Sequence, residues 1–311
     1  SFLSDVPDVI RVQNSLSILF ALRTVTIAEA INNAAATLAQ QGIQHSRLDA
    51  ELILRHVLKK ERAWLIAHFQ DPLDGDNRRL FEDGVGRRAR REPLQYIIGE
   101  QEFWGLPFSV TPDVLIPRPE TELLIEVALG VAENKGGPST IIDLCTGSGC
   151  IAVSLAREMQ AARIFATDIS PNAAAVAREN ARTHGVSDRI RFLEGDLFAP
   201  LEELDLRGQV DIIVTNPPYV RSDELPALMP EVSVYEPSTA LVAGPQGTEV
   251  HSRIVEGAPA FLKKGGALIM EMGMGQADAL SRLMKECNEY KTPEIVKDLA
   301  GIDRVIRVRR R

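Results

Sequence analysis

From Thr26 to about Arg91 apolar residues recur at spacings of three and four, the period of a helix that buries one face. Thr26 with Glu29, and Ser46 with Asp49, are N-cap signatures of the Ser/Thr-x-x-acid type and predict two helix starts. Ile27, Ile31, Ala35 and Leu38 form one stripe; Leu48, Leu52, Leu54 and Leu58 form most of another. Asp71-Pro72 and Asp74-Gly75 interrupt the pattern, and a further helix is expected through Leu80 and Val85 toward Arg91. The region reads as a small helical bundle with no catalytic constellation of its own.

After Glu92-Pro93 the pattern shortens, and the alternation of Phe103, Leu106, Phe108 and Val110 predicts a β-hairpin connector. Pro117-Arg118-Pro119-Glu120 then opens a helix through Leu123, Leu124 and Val127, because proline is tolerated in a first turn and acids favour the dipole there. From Thr140 onward strands are expected near 141–144, 164–167, 190–193, 210–215 and 267–272, with helical segments between them. That alternation predicts a mostly parallel, doubly wound α/β sheet. The runs 294–299 and 304–308 add an antiparallel pair at one edge. The expected division is an extension over 1–25 with no assigned role, a helical bundle over 26–92, a hairpin connector over 93–118 and the α/β domain over 119–311.

A chain of 311 residues has room for two domains, and 45% hydrophobic with 25% charged residues excludes a disordered polymer or a disulfide miniprotein. Lys and Arg number 35 against 43 Asp and Glu, a net −8, which is the wrong sign for binding nucleic acid through global charge. Cys145, Cys150 and Cys287 form no CxxC pair, so neither a metal site nor a disulfide framework is expected, and a reducing cytoplasm is the simple compartment. The apolar stretch around Leu16 to Leu22 is far short of the roughly 20 residues that span a bilayer. No signal peptide or membrane anchor is expected.

The segment DLCTGSGCIA, 143–152, ends a strand and begins a helix. Gly147 and Gly149 allow a tight turn with backbone close to a ligand, and the helix start offers unpaired N–H groups. Gly147-x-Gly149-x-x-Ala152 fits a dinucleotide fingerprint as well as an S-adenosylmethionine turn, and Asp168 stands where a ribose-binding acid belongs in either case. Asp196, in Gly195-Asp196-Leu197, reads either as a partner for an adenine amine, with Leu197 over the ring, or as a loop cap.

The strand ending in Asn216-Pro217-Pro218-Tyr219 separates the two chemistries. Two prolines stiffen the loop, so that the Asn216 side-chain carbonyl and the Pro217 carbonyl form adjacent acceptors for a planar NH2 group. Tyr219 is expected to lie against that group and exclude water. Methyl transfer to such a nitrogen depends on positioning and on an electrophilic sulfonium, and needs no histidine base. A nicotinamide enzyme has no use for this tetrad.

With EFWG, LIPRPETE, DLCTGSGCIA, NPPYV, YEPSTAL and DLAGIDRV, the chain from about Thr26 onward resembles the HemK/PrmC family of glutamine methyltransferases that modify peptide chain release factors. The resemblance implies a seven-stranded, Rossmann-like S-adenosylmethionine-dependent methyltransferase domain behind the helical bundle, which would recognise the substrate. It implies methyl transfer to the glutamine of a Gly-Gly-Gln tripeptide, with S-adenosylhomocysteine as product and no metal. By motif, Cys145, Thr146, Gly147, Ser148, Gly149, Asp168, Leu197 and Asn216 hold the cofactor, while Asn216, Pro217, Pro218 and Tyr219 hold the glutamine. Asn216, Pro217 and Tyr219 carry the catalytic role. The family often has glycine at Cys145 and an aromatic at Leu197, and often reads Gly-Asp-Asn within the terminal motif, where this chain has Ala300-Gly301-Ile302-Asp303. Release factors are the implied partners, in the cytoplasm, with no membrane and no required nucleic acid.

Two other substrates use related chemistry. An adenine amine of DNA or RNA is also planar, and the run from Arg87 to Arg91 and the terminal Arg309 to Arg311 could meet phosphate, or be a solvated helix face and a frayed tail. A paralogous branch methylates a glutamine of a large-subunit ribosomal protein; LIPRPETE with YEPSTAL leans toward the release-factor branch.

Overall fold

The computed structural model describes residues 25–133, 137 and 139–311, which fall into two compact units meeting in sequence at Ile98 and Gly99. The apolar stretch around Leu16 to Leu22 and, but for Val25, the extension assigned to 1–25 lie outside the described residues.

The first unit is helical: α1 Ile27–Gln40, α2 Ser46–Leu58, α3 Arg62–Ala67, α4 Gly75–Ala89 and α5 Leu94–Ile98. Thr26 starts α1 with a full capping box, its Oγ1 accepting from Glu29 N at 3.2 Å and its N–H donating to the Glu29 carboxylate at 3.0 Å. The second expected box does not form. Ser46 is already helical, and the Asp49 carboxylate is turned inward to accept from Arg88 Nε at 2.8 Å. That buried pair also sets the rotation of α2, so its core face is Ala50, Ile53 and Leu54, while Leu48 is 49% exposed. On α4, Phe81 and Val85 are buried and Leu80 faces out.

The second unit opens with the expected hairpin, β1 Glu100–Phe103 against β2 Leu106–Ser109, whose Phe103 and Phe108 rings meet edge to face and belong to this unit's core. One 3-10 turn, Pro119–Thr121, leads into α6 Glu122–Glu133. The remaining order is β3 Thr140–Leu144, α7 Cys150–Glu158, β4 Arg163–Asp168, α8 Pro171–Thr183, β5 Ile190–Glu194, β6 Val210–Thr215, β7 Val220–Arg221, α9 Pro230–Ser233, α10 Ser238–Leu241, β8 Val242–Gly244, α11 Glu249–Phe261, β9 Leu262–Glu271, α12 Ala277–Glu286, β10 Glu294–Lys297 and β11 Asp303–Arg309.

Among the described residues, seven strands form one sheet in the order β10-β11-β9-β6-β3-β4-β5, parallel from β9 to β5 and antiparallel at the β10-β11 edge, as the sequence predicts. Apolar clusters cover both faces. Strand order reverses beside β3, so the crevice at the carboxyl ends of β3 and β6 is the ligand position of an open α/β sheet. β9 begins at Leu262 rather than near 267, because its register against β6 shifts between Val210 and Ile212 and absorbs Lys263 through Gly266. The ribbon β7-β8, two pairings long, carries no sequence signal long enough to predict. No helix among the described residues is long and apolar enough to cross a membrane.

Candidate functional site

At the end of β3 the chain turns through three left-handed residues, Cys145 at φ 57°, Gly147 at φ 55° and Gly149 at φ 80°. A Cβ at Gly149 would stand 2.9 Å from the Ala177 side chain, so α8 can approach the turn only because that position is glycine. Cys145 takes a conformation that favours glycine while carrying a side chain, at a strain of about 1–2 kcal/mol. Burial, reinforced by Asp168 and Asp143, pushes its thiol pKa well above the ordinary range, so it is a neutral group.

The turn is tied to the end of β4 by main-chain donors. Asp168 accepts from Gly147 N at 2.8 Å and from Ser170 N at 2.9 Å, while Ser170 caps α8 by accepting from Ala173 N. Burial outweighs these bonds and raises the Asp168 pKa. Thr146 and Ser148 point into the protein rather than toward a ligand: both are buried, and Thr146 Oγ1 donates to Asp143 Oδ2 at 2.6 Å. Burial raises the Asp143 carboxyl to about 7. Behind the turn, Asn180 donates to Ser148 O at 2.9 Å and exchanges two hydrogen bonds with the Ser109 backbone, fixing the hairpin to the shelf.

A cavity of about 280 Å³ opens over this shelf. Its wall includes Cys145, Gly147, Asp168, Leu197, Asn216 and Pro218, which brings six of the sequence-predicted positions to one surface. Thr146, Ser148, Gly149, Pro217 and Tyr219 are not on that wall. Leu197 is held at φ 47° and buried; Asp196 pairs with Arg253 of α11. The acid therefore has a cationic partner while it stays on the cavity wall.

At the other end of the cavity, β6 delivers Asn216. Its Nδ2 donates to Thr121 Oγ1 at 3.1 Å, Thr121 donates in turn to Glu271 Oε2 at 2.7 Å, and Tyr219 OH stands 3.4 Å from Glu271 Oε1. Tyr219 is held on both sides by main-chain contacts, its N–H donating to Leu241 O at 3.1 Å and its carbonyl accepting from Gln276 Nε2 at 2.9 Å. Burial raises the tyrosine pKa, with the Glu271 charge next.

Sequence reasoning gave Thr121, Glu271, Arg118 and Glu236 no role. Arg118 Nη2 lies 2.7 Å from each oxygen of the buried Glu236 carboxylate, so the LIPRPETE and YEPSTAL segments are clasped by an ion pair. One arginine and one acid in two otherwise unassigned motifs is a signal that points to such a clasp. Glu271 has the same signal that marked Asp168, an acid closing a buried parallel strand.

The arginine runs serve the units that carry them. Arg88 pairs with Asp49, Arg87 with Glu92, and Arg91 donates to Gly42 O at 3.3 Å. The C-terminal arginines are pinned rather than frayed: Arg309 lies in β11, Arg310 bridges to Tyr290, and Arg311 N donates to Glu289 O at 2.8 Å.

Known proteins share this architecture. The family descriptions "PrmC N-terminal domain" and "Methyltransferase domain" match residues 29–99 and 137–308. The release factor glutamine methyltransferase of Cereibacter sphaeroides is 43% identical over 282 residues, 91% of this chain and 98% of that protein. Its namesake from Geobacter sulfurreducens is 40% identical over 284 residues, covering 90% and 95%. Among solved structures, the hMettl16 catalytic domain matches with a TM-score of 0.53 at 18% identity, covering 72% of this chain and 81% of that one. A methyltransferase from Pyrococcus furiosus matches at 0.50 and 16%, covering 72% and 98%. These two likenesses speak to the fold.

Proposed function

The chain belongs to the release factor glutamine methyltransferase family, and from that premise we propose that it transfers a methyl group from S-adenosylmethionine to the side-chain amide nitrogen of the glutamine in a release factor's Gly-Gly-Gln tripeptide. The observation that carries the substrate class is Asn216: its NH2 is engaged by Thr121, which leaves Oδ1 as an acceptor on the cavity side. An acceptor there suits a planar NH2 donor.

The donor set of the cavity suits S-adenosylmethionine. Asp168 uses one acceptor position on each oxygen for main-chain N–H groups and keeps capacity for both ribose hydroxyls. The wall carries Asp113, Asp168 and Asp196 against a single arginine, already paired, a balance that favours a cationic ligand and in turn the ionised form of Asp168. When bound, S-adenosylmethionine supplies an electrophilic methyl on a sulfonium. On this reading Cys145 to Gly149 form the turn beneath it, with Thr146, Ser148 and Gly149 shaping the backbone, and Leu197 lies beside adenine. No metal is called for.

Asn216 Oδ1 and the Pro217 carbonyl would each take one hydrogen of the glutamine amide, turning its nitrogen lone pair toward the methyl carbon. Pro218 stiffens the approach, and Tyr219 backs the site against water. Held in this way, the amide nitrogen would accept the methyl group from the sulfonium, whose sulfur would retain the electron pair of the broken C–S bond, and the nitrogen, made strongly acidic, would then lose its extra proton to solvent. No side-chain base is needed before transfer. Positioning at such a site is worth several kcal/mol, about 10²-fold or more in rate.

A tripeptide offers little surface, so the helical unit would recognise the body of the factor. Glycines flanking the glutamine let the loop approach closely. The reaction belongs in the cytoplasm and requires neither membrane nor nucleic acid. Incubation with S-adenosylmethionine and intact release factor is expected to add one methyl mass to that glutamine, and none to a Gln→Ala factor. Free Gly-Gly-Gln peptide should be a much poorer substrate. Label in DNA or in a large-subunit ribosomal protein, with none in the factor, would overturn the assignment.

A further inference from the structure

We propose that Glu271, acting through Thr121, is a positioning residue that decides which end of the Asn216 amide faces the substrate. The inference rests on the proposed reaction and deepens it. A carboxylate only accepts hydrogen bonds, and a threonine hydroxyl has one hydrogen to give. Thr121 spends that hydrogen on Glu271 Oε2, at 2.7 Å. Its oxygen then has only lone pairs to offer Asn216, so the atom 3.1 Å away must be the NH2 nitrogen. Turning the amide over would set Oδ1 against those lone pairs and present an NH2 group to the substrate's own NH2. Thr121 and Glu271 are 2% and 1% exposed, so solvent is poorly placed to repair a reversed pairing.

The polarity of this relay depends on the charge of Glu271. Burial raises its carboxyl to about 7, opposed by Thr121, Arg304 of β11 and Tyr219, and assisted by Glu120 of the turn before α6. His251 of α11 touches the same residue through its backbone, Nε2 lying 2.8 Å from Glu271 O, and burial lowers that imidazole's pKa. A protonated Glu271 could donate to Thr121, freeing the threonine hydrogen for Asn216 Oδ1 and reversing the relay. Turnover is therefore expected to rise with pH through about 7 as Glu271 ionises.

Thr121→Val keeps the shape and removes the hydroxyl; Thr121→Ser keeps the hydroxyl. Steady-state kinetics on intact release factor should show Thr121→Val losing about tenfold or more in kcat, the worth of one oriented hydrogen bond, with KM for S-adenosylmethionine unchanged and the rise through neutral pH flattened. Thr121→Ser should restore most of the lost turnover and the pH limb. Glu271→Gln, whose amide can donate, should behave like Thr121→Val; should it fail to fold, the Thr121 pair decides alone. Wild type that methylates the factor while Thr121→Val keeps full kcat and the same pH limb overturns this inference only. Loss of thermal stability and cofactor affinity in both Thr121 variants would also overturn it, in favour of a packing role. Wild type that leaves the factor unmethylated overturns the proposed reaction, and this inference with it.

Discussion

At the glycine turn, the atoms facing the cavity are fixed by main-chain geometry: Gly147 N and Ser170 N hold Asp168, and Asn180 braces the turn from behind. At the far end of the same cavity, the Asn216 amide is oriented by side chains, through Thr121 to Glu271. Main-chain hydrogen bonds make no demand on side-chain chemistry, so that where space allows, as at Cys145, a side chain can occupy a left-handed position usually given to glycine, whereas Gly149 has no such space. A relay of side chains has no such tolerance. Each member has to be the right donor or acceptor, and removing one leaves the next buried and unpaired.

That contrast is open to direct attack, and the largest effect should fall at the relay end. Asn216→Ala is expected to lower kcat by about 100-fold or more, because it removes the acceptor aimed at the reacting group. Asn216→Asp should fail as well, since a carboxylate cannot donate to Thr121. Near-normal turnover in the alanine variant would show that the loop is only structural.

At the shelf, Asp168→Ala should cost about 1.5–3 kcal/mol of S-adenosylmethionine affinity by calorimetry, the value of charge-assisted acceptors. An unchanged affinity would mean that the main-chain turn suffices without the acid. The smallest effect belongs to Cys145→Gly. Relief of left-handed strain against the entropy of a more flexible unfolded chain should change stability by at most about 1 kcal/mol in a denaturant titration. A tenfold loss of cofactor affinity there would show that the thiol, and not its backbone, meets the ligand.

The sheet and the shelf were legible because their signals are local. Strand 210–215 is centred on the apolar run Ile212, Ile213 and Val214, and Gly147 and Gly149 sit where a turn must go left-handed. Thr26 and Glu29 declare a helix start three residues apart. The relay was not legible, because Thr121 lies 95 residues from Asn216 and 150 from Glu271, and the three meet only when the Pro119–Thr121 turn lies against the ends of β6 and β9. The Ser46 reading failed for a related reason: the local rule needed Asp49 free, and Arg88, 39 residues away, had claimed it. Leu48 followed, since that pair sets which side of the helix faces inward.

The ribbon β7-β8 meets in only two rungs, Val220 with Val242 and Arg221 with Gly244, whereas β6 is paired along both edges in the middle of the sheet. Opening free energy follows local pairing and burial, so the amides of Tyr219 and Ser222 should exchange with deuterium well before those of β6. The chain between β7 and β8 carries Glu236, the acid clasped by Arg118, and Pro237, Thr239 and Ala240 of the cavity wall, so this side of the cavity should yield first while the sheet that carries Asp168 and Asn216 stays closed.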